Sequence, residues 1–184
     1  QRQAAGVLGI VIDAPTRASL ELLRSLSGEK GASLLSVIDR TVTGPGAREL
    51  AARLASPLRD AAAIGARLDA VGFLLDNELL RDDLRGTLRA APDIARAMSR
   101  LALQRGGPRD LAAIRDGLRA AASCVRLLRQ GAGGMGLPET LDRIAGALTA
   151  CGADLEAALA RALVDEPPPL RRDGGFVKPG ARAD

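Results

Sequence analysis

An all-α fold is predicted here: a multi-helix bundle containing one long antiparallel helical hairpin, with short extended segments at both ends. Three observations predict it. Apolar residues make up 47% of the chain but aromatics only 1%, Phe73 and Phe176. A core must then be built from Leu, Ile, Val and Ala, which suits packed helices better than a sheet rich in aromatic and β-branched residues. Leucines recur at helical spacing through most of the chain. Two matched heptad stretches also flank the glycine-rich loop Gly131 to Gly136.

The first segment, Val7 to Ile12, is β-branched and reads as a strand or extended entry that ends at Asp13. Ala14 to Leu26 carries Leu20, Leu22, Leu23 and Leu26, a short helical pattern followed by the solvated turn Ser27 to Gly31. Glycines flank Lys30 there, but without the spacing of a phosphate loop. A helix is expected over Ser33 to Arg40.

The stretch Asp39 to Arg48 then turns the chain. Thr41, Val42 and Thr43 interrupt the leucine spacing, Thr43 can cap the next helix, Pro45 suits its first turn, and Pro57 ends it after Ala55. Gly46 is costly inside a helix, by about 1 kcal/mol against Ala, and points to the close approach of another backbone. An ordinary helix–turn–helix corner is the other reading of this stretch.

A third helix begins near Asp60, with Ile64, Leu68, Val71 and Leu75 as an apolar stripe expected to face inward. Leu79, Leu80, Leu84 and Leu88 form the face of the next. Pro92 and Asp93 open another helix, the proline at its first position and the acid at the positive end of the dipole. Gly107 Pro108 Arg109 Asp110 repeats the signature. Leu111, Ile114, Leu118, Ala121, Val125 and Leu128 follow at intervals of 3, 4, 3, 4 and 3. Beyond the glycine loop, Leu141, Ile144, Leu148, Cys151, Leu155 and Ala158 continue the alternation as the second hairpin arm.

Charge supports that hairpin. From Arg96 to Arg129 there are eight arginines against Asp110 and Asp116, whereas from Glu139 to Glu166 six acids stand against Arg143 and Arg161. Opposed blocks suggest arms that lie against each other. An arginine face for nucleic-acid phosphates is the rival reading, although no aromatics are interleaved to stack on bases. Asp93, Arg100, Arg109 and Asp110 stand at neighbouring helix starts, where they either pair to fix how the helices meet or are ordinary surface charges.

Chemistry is sparsely provided. Histidine is absent, and the only cysteines are Cys124 and Cys151. That removes most zinc sites, along with His-based acid–base catalysis and Cys–His nucleophiles. The glycine loop has no Lys–Ser/Thr pair and follows no strand, so it is no phosphate cradle. With the hairpin closed at its loop, Cys124 faces the region of Arg143, and both thiols are expected to be free and buried. No apolar run is long enough to span a membrane, and the chain reads as soluble and cytoplasmic. Three prolines, Pro167 to Pro169, are expected to point the chain away, leaving Phe176 to Gly180 as a strand start without a partner.

Taken together, the ordered string Ile12 Asp13, Thr16 Arg17, Leu20 Glu21 Leu22, Leu34 Leu35, Ile38 Asp39, Thr41, Thr43, Gly46, Arg48, Pro57 Leu58 resembles the start of the core, or lever, domain of the MutS family. The likeness continues through Arg67 Leu68 Asp69 Ala70 Val71, Asp93 Ile94, Ser99 Arg100 Leu101, Pro108 Arg109 Asp110 Leu111, Asp165 Glu166 Pro167 Pro168 and Arg172 Asp173 Gly174 Gly175. It covers nearly the whole chain. Members are DNA mismatch-recognition ATPases that close as dimers around a duplex, use ATP and Mg, and recruit the partner MutL.

The resemblance implies that residues 1–13 end a connector, 14–166 form the first half of the lever, and 167–184 begin the clamp. It implies a non-catalytic element that relays nucleotide state to the DNA clamp, with Asp39, Thr43, Gly46, Arg48, Asp93, Arg100, Arg109 and Asp110 as structural signature positions. The family's Phe-x-Glu wedge and its ATPase loop are absent from this stretch, so no catalytic, cofactor or metal residue is expected in it. In the family the core is discontinuous, which leads us to expect apolar helix faces left uncovered here. A generic helical scaffold that docks partners through its hairpin is the alternative.

Overall fold

The computed structural model describes residues 10, 12–29, 31–150 and 152–181. Among them the regular structure is helical, and Leu163 and Val177 form an isolated antiparallel β-bridge. The chain divides into two compact units, Gln1–Phe73 and Leu74–Asp184. Most of the Val7 to Ile12 entry segment lies outside the described residues. Within it, the Ile10 N–H donates to the Pro57 carbonyl at 2.8 Å.

In the first unit, Asp13 caps α1 (Ala14–Ser19) by accepting the Thr16 N–H at 2.7 Å. The chain then folds back so that Leu34 and Leu35 donate to the carbonyls of Glu21 and Leu22. Ser33 caps α2 (Leu34–Ile38), which stops short of Arg40 because the Asp39 carboxylate accepts from both the Thr41 N–H and its hydroxyl. That local bond competes with another helical turn. α3 (Gly44–Ala55) packs against α2 and ends at Ser56, ahead of Pro57.

α4 (Ala61–Asp76) starts where expected but does not bury its predicted stripe. Ile64, Leu68, Val71 and Leu75 are all exposed, Leu68 at 61%, while Ala70 is buried. α4 is apolar nearly all round, so its periodicity does not select a face. The uncovered stripe matches the expectation of bare apolar helix faces.

In the second unit, α5 (Glu78–Ala90), α6 (Ile94–Ala102), α8 (Glu139–Thr149) and α9 (Ala153–Ala162) all pack on α7 (Pro108–Gly131). At 24 residues, α7 is about 36 Å long and serves as the axis of the unit. α5 buries Leu80 and Leu84, but Leu79, grouped with them by spacing, is 84% exposed. Pro92 lies before the cap of α6, and Asp93 is the cap itself, accepting the Arg96 N–H at 3.1 Å. α7 opens as its sequence predicts, with Pro108 at N1.

The core is made of small and branched side chains: Ala97 and Ala145 are 0% exposed, and Ile114, Cys124, Leu128 and Leu141 are buried around them. Close packing among alanines replaces the bulk that aromatics would supply. Between α5, α7 and α8 an apolar groove of about 570 Å³ stays open, with Leu88, Ile144 and Leu148 along it.

The predicted second arm is not one helix. It breaks between α8 and α9 at Gly152, whose φ of +70° is left-handed. The break shifts the phase, so Leu155 and Ala158 are exposed, while Ala157 and Leu159 are half-buried and Glu156 reaches Arg119 of α7. A left-handed residue suits glycine and ends a helix cleanly.

The antiparallel register also differs from that expected. Arg129 pairs with Asp142 and Arg119 with Glu156, so Cys124, midway along, faces about Thr149 rather than Arg143. Cys124 is a free, buried thiol. Cys151 lies outside the described residues.

The tail does find a partner. Val177 bridges antiparallel to Leu163, the Val164 N–H donates to Phe176 O at 3.1 Å, and the Lys178 N–H donates to Ala162 O at 2.8 Å. The three prolines therefore turn the chain back rather than away.

Candidate functional site

The corner residues of the first unit form local caps. Thr43 Oγ1 accepts the Gly46 N–H at 3.0 Å, and Asp39 binds Thr41; its carboxyl is held below the usual range by the Thr41 hydroxyl and N–H. Arg48 lies one turn further on in α3. The expectation that another backbone approaches Gly46 is not met. A Cβ there would lie 2.8 Å from Thr43 Oγ1 and 3.6 Å from Thr41 Cβ, so what crowds Gly46 is its own capping threonine.

In the second unit the structure brings Arg100 and Asp110 together across α6 and α7. Arg100 Nε donates to Asp110 Oδ1 at 2.7 Å, while Asp110 Oδ2 accepts the Gly107 N–H at 2.9 Å. One carboxylate thus caps its own helix and holds the end of the preceding one. Asp93 caps α6, and Arg109 Nε donates to the Pro167 carbonyl at 3.4 Å.

Hydrogen bonds from Arg100, then the Gly107 N–H, hold the Asp110 carboxyl below its usual range against the opposing effect of burial. A depressed folded pKa contributes stability that is complete above the unfolded value near about 3.9 and is lost as pH falls through the folded value. Asp110→Asn is therefore expected to be less stable than the parent at neutral pH and to lose less between about pH 4 and pH 2. Acid-unfolding curves that run parallel for the two proteins would remove Asp110 from this role.

Of the eight arginines between Arg96 and Arg129 only Arg115 is buried; the other seven are exposed, although Arg100, Arg119 and Arg129 pair with acids of the chain. Arg115 is 4% exposed; its guanidinium bonds Asp116 and donates to the carbonyls of Val164 and Asp165, each at 3.0 Å. Arg119 reaches Glu156 at 2.8 Å and Arg129 reaches Asp142, so the opposed charge blocks do lie on facing elements. Arg115, the most buried of these cations, was not singled out from the sequence. Its only sequence signal is an arginine one position after the seam residue Ile114.

On α7 two glycines make room for side chains of neighbouring helices. A Cβ on Gly117 would lie 2.3 Å from Ile94 Cγ1, and one on Gly131 would lie 2.5 Å from Leu80 Cδ2. Among the described residues there is no group of three or more His, Cys, Asp or Glu side chains able to hold a metal, and no helix long and apolar enough to cross a membrane.

These features define an all-α packing module whose axial helix fastens its neighbours through arginines and glycines. The family model described as MutS domain III matches residues 15–179. The chain belongs to the MutS family. It is 52% identical over 182 residues to a DNA mismatch repair protein MutS of Rhodopseudomonas palustris (strain BisA53), covering 99% of this chain and 20% of that protein. Proteins of the same name from Ruegeria pomeroyi and Azorhizobium caulinodans are 55% and 52% identical, over 94% and 100% of this chain and 19% of each relative. The chain thus spans about one fifth of the length of these relatives.

Proposed function

We propose that this chain is the non-catalytic helical core, or lever, segment of a MutS-type DNA mismatch-recognition ATPase, linking a DNA clamp to the ATPase. In this reading residues 1–13 close a connector, 14–166 are the first half of the lever and 167–184 start the clamp. Mismatched double-stranded DNA, MutL, a second subunit, and ATP with Mg belong to the whole cytoplasmic protein; no residue of this stretch holds nucleotide.

The observation that carries the proposal is the α7 axis, to which α5, α6, α8 and α9 are all packed. Elements so tied move together, as a relay requires. Membership of the family supports the wider setting.

The arginines that pair with acids of the chain itself, Arg100, Arg115, Arg119 and Arg129, give the reading its test. A protein that grips phosphates loses affinity with salt at a log–log slope of about −0.9 per phosphate contacted. Titrating the isolated chain with a mismatched duplex at two salt concentrations is expected to give weak binding and a shallow slope. A steep slope, worth about six phosphates or more, would make the arginine block a DNA contact and contradict the lever assignment.

A further inference from the structure

We propose that residues 164–178 form a strap that opens from α7 and α9 as a unit, with Arg115 as its latch. Within this stretch only Pro167 is buried, and Asp165, Glu166 and Pro169 to Gly175 are exposed. Hydrogen bonds, not apolar packing, hold it down. Arg115 donates to the carbonyls of Val164 and Asp165, Arg109 to that of Pro167, and Lys178 Nζ to Ala160 O at 2.9 Å.

The two backbone bonds, Val164 to Phe176 and Lys178 to Ala162, close the stretch into a loop on itself and on the end of α9. The loop runs against the start of α7, where a Cβ on Gly107 would lie 3.0 Å from the Pro169 carbonyl. Leu163, 3% exposed, anchors its base. α8, by contrast, is seated by the buried Leu141 and Ala145.

A segment with few buried apolar groups and many exposed backbone bonds belongs to the low-stability end of a protein's opening equilibria. Arg115 differs from the rest of the strap's fastenings because it is buried and aimed by Asp116, with Nε to Oδ1 at 2.8 Å. Its planar fork holds two successive carbonyls with Nη1 and Nη2 while Nε stays on Asp116, a fixed geometry that the point charge of a lysine does not reproduce. Opening at this latch would redirect the chain that follows Lys178 without unfolding a helix.

Hydrogen–deuterium exchange read by mass spectrometry on the intact polypeptide tests it. In the parent, peptides covering 164–178 are expected to exchange faster than those of α7 and α8. Arg115→Lys and Arg115→Met should each speed exchange in 164–178 by about tenfold or more, with α5, α7 and α8 unchanged. If the strap and these helices lose protection together in both variants, or if strap exchange does not change in either, the latch is refuted.

Discussion

Leu128→Asp is expected to destabilise the second unit by about 4 kcal/mol or more, read as a fall in the urea midpoint. Leu128 is 4% exposed near the end of α7, where α5 and α8 both pack. Removing a buried leucine forfeits about 2 kcal/mol of apolar burial. Placing a carboxylate in the same site adds the cost of desolvating a charge that has no partner there. Domains are stable by only about 5–15 kcal/mol, so this one change approaches the whole margin. Leu148→Asp supplies the contrast, because Leu148 is half-exposed on the apolar groove. Equal losses from the two substitutions would show that the buried seam has been placed on the wrong residues.

Gly117→Val is the second large effect, expected to cost about 2 kcal/mol net. The new Cβ would fall 2.3 Å from Ile94 Cγ1 and 2.4 Å from its Cδ1, distances that require α6 or the Ile94 side chain to move. Overpacking of this kind costs about 1–3 kcal/mol, and the gain in helix propensity from losing glycine offsets only a few tenths. Gly146 in α8 is the control, since a Cβ there meets nothing within 4 Å. Gly146→Ala should raise stability by about 0.5–1 kcal/mol. If both substitutions shift the thermal midpoint in the same direction, space around Gly117 is not what selects its residue.

The comparison of these two glycines shows where sequence reading stops. The cap at Thr43 was legible, and Asp93 and Asp110 were legible as acids at helix starts, because these features lie within three residues of one another. The pairing of the basic and acidic blocks was legible too, since opposite charge on two long arms has one economical arrangement. Gly117, however, is explained by Ile94 on another helix, and nothing near it in sequence announces that contact. The inward face of α4 was hidden for a different reason: a helix of Ala, Ile, Leu and Val on most sides has no polar face to exclude. Heptad spacing runs straight through Gly152, so the break between α8 and α9 shows only in the left-handed backbone. Val177 and Leu163 meet across a turn of three prolines and two glycines, a non-local pairing that local signals do not report.

The helix packing around Gly117 also gives the relay its most direct test. Under the proposed lever role, coupling in the longer protein would be the factor by which nucleotide changes affinity for a mismatched duplex. With Gly117→Ala, a milder intrusion on Ile94, that factor is expected to change by about 2- to 30-fold, equivalent to 0.5–2 kcal/mol. Duplex affinity without nucleotide and nucleotide affinity without duplex should stay at parental values. An unchanged coupling factor in a folded variant whose α6–α7 contact is measurably loosened would contradict the account, because the helices would then not transmit what we propose they carry.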